Sequence, residues 1–227
     1  MADALFFSCL LLFLAAMQGT GADDYAVNGN TSNSDGGVRF KKEIGAQNSL
    51  QTMADASNFI WNVFQQNNPS DRKTGPESNT VHRKRRQGSL ANDNQIYVNA
   101  NYLGTYKGDL RREFNGVLYR KMTHICQWDG NGQTSVWLNE EIADFVRLKA
   151  NYIPSHWVQP GQGDRWDQRS DVTARFLEYY DGLRNGFVAE LNKKMKSGHN
   201  AGYFVELLGK KLLTNCGVII RPSMAIK

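Results

Sequence analysis

Between residues 48 and 66 the apolar positions Leu50, Met53, Ala56, Phe59, Ile60, Val63 and Phe64 recur at spacings of three and four, which predicts an amphipathic helix stopped by the following NNPS. In NQIYVNANYL, residues 94–103, Ile96 and Val98 alternate with polar neighbours, the pattern of a strand with those two side chains inward. Helical periodicity returns over 110–128, is broken by the glycine-rich DGNGQ, and resumes over 136–150. A long loop, YIPSHWVQPGQGDRWDQRSD, carries Tyr152, Trp157 and Trp166 as aromatic anchors. Further helices are predicted over 171–180, with Asp171 or Ser170 as N-cap, over 187–196 and over 204–213. Residues 23–37 lack apolar periodicity and read as a flexible N-terminus, and 67–93 reads as a long polar, basic loop. No internal repeat is visible. The sum is an α+β chain, mostly helical, with a small sheet.

A length of 227 residues suits one sizeable domain with a real core. Its first 22 residues stand apart: 4–16 are apolar except for Ser8 and Cys9, and 19–22 are small. That run is too short to span a bilayer and reads as a cleaved secretory signal, so a secreted product, extracellular or in the cell wall, is expected. Asp3 leaves with it, and the formal net charge of +5 rises to about +6. The basic excess is concentrated at His82, Arg83, Lys84, Arg85 and Arg86. Without interleaved aromatics this run reads as a solvated loop, a furin-like cleavage site or a polyanion contact, and no nucleic acid partner is expected. Beyond the leader only Cys126 and Cys216 remain, too few for a disulfide framework, and their pairing stays open. Asn30 heads an N-glycosylation sequon.

Residues 118–128, LYRKMTHICQW, lie inside the helix predicted over 110–128. The zinc-peptidase pattern H-E-x-x-H puts two imidazoles at i and i+4 on one helical face, beside a glutamate general base. His124 stands where the second histidine belongs; Arg120 and Lys121 hold the other two positions. Taken alone, the stretch reads equally as a basic amphipathic helix with one incidental histidine. A zincin also needs a third ligand downstream. In NEEIAD, Glu140 and Asp144 stand at i and i+4, the spacing at which zincins of the glutamate class place a ligand glutamate and an aspartate that orients a ligand imidazole. The helix dipole alone also explains an acidic pair near a helix start. His156 competes as third ligand, whereas His82 and His199 lie in exposed-looking polar sequence.

The stretches GGVRF, FQQNNPSDRK, GDLRREFNGVLY, MTHICQWDGNGQ, IADFVRLKANYIPSHWVQPGQGDRWDQ, DVTARFLEYYDGLRNGFVAELNKKM and YFVELLGK, spread over 36–210, resemble the plant basic secretory protein family. These are secreted zincin-like proteins associated with pathogenesis-related defence. The resemblance implies a zincin-like domain over 38–210, metallopeptidase ancestry and, in intact members, zinc. The chain departs from the family where Y-H-E-M-T-H becomes Tyr119-Arg120-Lys121-Met122-Thr123-His124. A guanidinium has no lone pair for zinc, and an ammonium cannot take the proton of a metal-bound water. The two exchanges add about three positive units, which repels a dication. Residues 74–91 replace the family's apolar strand before NQIYVNA with the basic loop, 211–227 diverge, and Cys126 stands where tryptophan is common.

The expectation is therefore a disabled peptidase centre with no cofactor, in which Lys121 occupies the general-base position and His124, Glu140 and Asp144 are vestigial. Arg120 or Lys121 would pair with Glu140 or Asp144 in place of the metal. Such a chain acts by binding, as a monomer, either a peptide or protein ligand in the old cleft or an acidic cell-wall polymer. Two alternatives stay open. One is a residual zinc peptidase using His124, Glu140 and His156 with Glu141 as base; the other is a polyanion-binding protein using Arg83 to Arg86.

Overall fold

The computed structural model describes residues 9–14, 25–28, 33–73, 89–92, 95–162, 168–200 and 202–209; for 9–14, 89–92, Asn28 and Gln95 it describes the backbone alone. The chain divides into two compact units, Met1–Ala56 with Gly75–Ile125, and Ser57–Thr74 with Cys126–Lys227. The expected architecture, α+β and mostly helical with a small sheet, is what the described residues form. None of their helices is long and apolar enough to cross a membrane.

The first unit holds an antiparallel sheet in the order β2 (Tyr25–Asn28), β1 (Cys9–Leu14), β4 (Gln95–Asn99), β3 (Ser89–Asn92). β1 pairs Leu12 with Ile96 and with Val27, and β3 and β4 pair Ser89 with Val98 and Asn92 with Gln95. As the alternation predicts, Ile96 and Val98 are buried. Three expectations are corrected here. The stretch 23–37, read as patternless, contributes β2 and the start of α1 (Asp35–Arg39), and the loop read over 67–93 contains β3. The strand signal stops at Asn99, whose Oδ1 accepts the Asn101 N–H at 2.9 Å and so caps a further short helix, α3 (Ala100–Thr105).

α1 runs on through a wider turn over Phe40–Ile44 and packs on α3. The Arg39 guanidinium makes the joint: Nη1 donates to the carbonyls of Leu103 at 2.8 Å and Tyr106 at 2.7 Å, while Nε donates to Glu43 at 2.7 Å. That hydrogen bond, aided by the charge, holds the Glu43 carboxyl below the usual carboxylate range. α2 (Ala46–Val63) and α4 (Leu110–Cys126) follow the predicted three-and-four pattern. In this unit they bury Met53 and Ala56, and Phe114, Leu118 and Met122, with Phe40 edge-on to Phe114. Each of the larger ones, Met53, Phe114, Leu118 and Met122, contributes about 1.5–3 kcal/mol.

The second unit contains α5 (Val136–Lys149), α6 (Ser170–Leu183), α7 (Phe187–Lys194) and α8 (Tyr203–Leu208). α5 packs along α6, and an aromatic chain of Phe176, Tyr180, Phe187 and Phe204 joins α6 to α7 and α8. Predicted and observed helices agree in place, with ends differing by a few residues. The cap of α6 is a correction: its N-cap is Arg169, and Asp171 lies inside the first turn. The Asp171 carboxylate accepts from the Arg169 guanidinium and from the Val158 N–H at 3.0 Å, so the local signal for a cap serves a loop instead. Burial raises the Asp171 carboxyl, but these donors outweigh it and hold the group below the usual range.

Candidate functional site

α4 carries the altered motif. Asp109 Oδ1 accepts the Arg112 N–H at 2.9 Å and caps the helix, and Glu113, buried, accepts the Tyr102 hydroxyl at 2.6 Å. Asn115 accepts from Asn48 at 3.0 Å and from Thr52 at 3.2 Å, fixing the helix against α2. On a helix so held, Arg120 and His124 are one turn apart and half-buried, while Lys121 is only 6% exposed. The Thr123 hydroxyl donates back to the Tyr119 carbonyl at 2.8 Å. The spacing that would serve H-E-x-x-H is thus geometrically intact, with cationic side chains in two of its three positions.

α5 carries the acidic group. Ser135 Oγ accepts the Leu138 N–H at 3.2 Å as N-cap, and the helix then presents Glu140, half-buried, with Glu141 and Asp144, both buried. Glu140 and Asp144 occupy successive turns, as the sequence spacing predicts. His156 lies exposed in the loop after α5, and Arg147 Nε donates to the Tyr152 carbonyl at 2.9 Å where that loop begins. Arg120, Lys121 and His124 belong to the first unit; Glu140, Glu141, Asp144 and His156 belong to the second.

Zinc needs three donors with lone pairs converging on one point. Among the described residues no group of three or more His, Cys, Asp and Glu side chains stands where it could hold a metal ion. Arg120 supplies no donor at the first position. The motif as it stands in this chain is therefore one ligand short of the H-E-x-x-H set.

Other singled-out residues separate clearly. Arg83, Lys84, Arg85, Arg86, Asn30 and Cys216, together with His82, Trp166 and most of the leader, lie outside the described residues. Cys126 is buried. His199 is a correction: it is partly buried, its ring stands 6.4 Å from that of Tyr203, and burial pushes its imidazole below the usual range. Polar neighbours in sequence concealed this, because the burial comes from tertiary packing.

Sequence comparison agrees with the motifs. The family model described as BSP, peptidase of plants and bacteria, matches residues 22–216, and the chain belongs to that family. A basic secretory protease from Boswellia serrata is 62% identical over 29 residues, 13% of this chain and 45% of that protein. The chain therefore spans under half the length of that curated relative. No solved structure matches the chain.

Proposed function

We propose that this chain is a secreted, defence-associated BSP protein of zincin-like ancestry whose peptidase centre no longer works, and that it acts by binding. The observation that carries the reading is Lys121. It sits 6% exposed on a well-formed helix, at the position where the motif calls for a carboxylate to accept a proton. Loss of a general base commonly costs a hundredfold or more in rate. Arg120, one residue earlier, removes a ligand as well. Both exchanges lie on one helical turn and both act against a metal-bound hydroxide.

His124, Glu140 and Asp144 are on this reading what is left of the centre. The remaining activity is recognition of a peptide or protein ligand. The test is the metal content of the purified natural protein beside that of the double reversion Arg120→His with Lys121→Glu. The expected result is a metal-free natural protein and a reversion that takes up about one zinc per chain. Stoichiometric zinc in the natural protein, or zinc-dependent peptide cleavage by it, would overturn the proposal.

A further inference from the structure

In the first unit, two stretches far apart in sequence are tied side by side at one corner. Arg39 Nη1 donates to the Leu103 and Tyr106 carbonyls, and Arg111 Nε donates to the Glu43 carbonyl at 2.7 Å. The wider turn over Phe40–Ile44 therefore lies against the loop that leads into α4. This corner carries Lys41 and Lys42 from the turn, Lys107 from the loop, and Arg111 and Arg112 from the first turn of α4, all exposed. Among the described residues none of Lys41, Lys42, Lys107 and Arg111 forms an ion pair. The acids beside them are already engaged: Glu43 is held by Arg39, and Asp109 caps α4 through the Arg112 N–H. Asp35 is exposed, but at the other end of α1. The positive end of the α4 dipole adds to the same field.

These cations do not converge on one point. Consecutive residues on a helix leave its axis about 100° apart, so Arg111 and Arg112 point in different directions, as do Lys41 and Lys42 on their turn. A single small anion meets one or two of them, and an exposed pair is worth at most about 1 kcal/mol. A ligand with an anion at each of several steps adds such contacts together and releases counterions with each. Only a chain that bends can follow diverging cations; a flat bilayer or a stiff duplex reaches one side of the corner. A single nucleic acid strand bends too, but it draws affinity from aromatic rings on which its bases stack. Tyr102 and Tyr106, the rings on the loop side of the corner, are half-buried and paired with each other, their centroids 5.8 Å apart.

We propose that this corner of the first unit docks a flexible acidic polysaccharide, a chain with a carboxylate or sulfate on successive sugars. Arg111 is its anchor, because the bond from Nε to Glu43 fixes the guanidinium and leaves both Nη groups to face an anion. Lys41, Lys42 and Lys107 meet further anions along the chain. The proposal rests on neither the Arg120–Lys121 exchange nor metal content, so it stands or falls apart from the disabled-peptidase reading. It also makes no use of Arg83 to Arg86, which lie outside the described residues.

The test is titration of the ¹⁵N-labelled full chain with polygalacturonate and with dextran sulfate. Comparison probes are monomeric D-galacturonate, fully methyl-esterified polygalacturonate, a DNA duplex and phosphatidylserine vesicles. Saturable shifts at the backbone amides of Lys41, Lys42, Lys107, Arg111 and Arg112 are expected with an acidic polysaccharide, and the tighter of the two identifies the anion as carboxylate or sulfate. Affinity is expected to fall steeply with added salt, and each comparison probe to bind at least tenfold more weakly. Lys41→Gln with Lys42→Gln and Lys107→Gln is expected to weaken binding at least tenfold with an unchanged far-UV circular dichroism spectrum. Arginine at the same positions is expected to bind as the natural protein does. No shift at these amides would overturn the proposal, as would equal or tighter binding of any comparison probe or an arginine variant that does not bind. So would a glutamine variant that binds as before, which would move the polymer to Arg83 to Arg86.

Discussion

A methyl group on Gly36 would stand 1.8 Å from the carbonyl oxygen of Ala100 and 2.6 Å from its carbonyl carbon. The obstacle is backbone, which cannot rotate away, so Gly36→Ala must separate α1 from α3 and disturb the Arg39 fork. We expect a loss of about 3 kcal/mol or more in a urea unfolding experiment, against no loss for Gly182→Ala, an exposed glycine inside α6 with nothing within 4 Å of the added methyl. The glycine pair of GGVRF is visible in the sequence, but its reason is not, since the crowding atom belongs to a distant residue. Gly130 behaves likewise: its N–H donates to the Met195 carbonyl at 2.8 Å, and a side chain there would meet Thr134 Oγ1 at 2.6 Å. Lys121 is the opposite case. Its type and position on the helix were legible at once, because the motif is local, whereas its depth of burial was not.

Among the elements, α2, α4, α5, α6 and α7 were legible because each is long enough to show several apolar repeats. α3 was not: six residues give fewer than two turns, and its start depends on one capping amide, Asn99. The loop before α6 was read as irregular, and its described part is pinned. Val158 donates its N–H to Asp171 and accepts from Arg175 Nε at 3.2 Å. Removing the carboxylate leaves the Val158 N–H and the Arg169 guanidinium without it. Asp171→Ala is therefore expected to cost about 2–3 kcal/mol and to make the loop around 155–162 the first site of proteolytic nicking, whereas Glu206→Ala, which removes only an exposed ion pair with Lys194, should cost less than about 1 kcal/mol.

At the scale of the molecule, stability should depend on pH through His199. Burial lowers its folded value, while the unfolded imidazole titrates near 6.5. As the pH falls, the unfolded chain takes up the proton first, so stability present above about pH 6.5 is lost as pH falls through the folded value. We expect a lower urea midpoint at about pH 5 than at about pH 7.5 and a smaller difference in His199→Gln. The sequence by itself determined the longer helices, the inward pair Ile96 and Val98, the basic substitution of the peptidase motif and the family, because each is written in residue types at short, fixed spacings. Tertiary structure alone decided that β4 takes the apolar 9–14 segment as a neighbour, that Asp171 secures a loop rather than capping a helix, and that Arg111 bonds the Glu43 carbonyl. Those outcomes depend on which distant group satisfies an exposed strand edge, a buried carboxylate or an open carbonyl, and no local pattern records that choice.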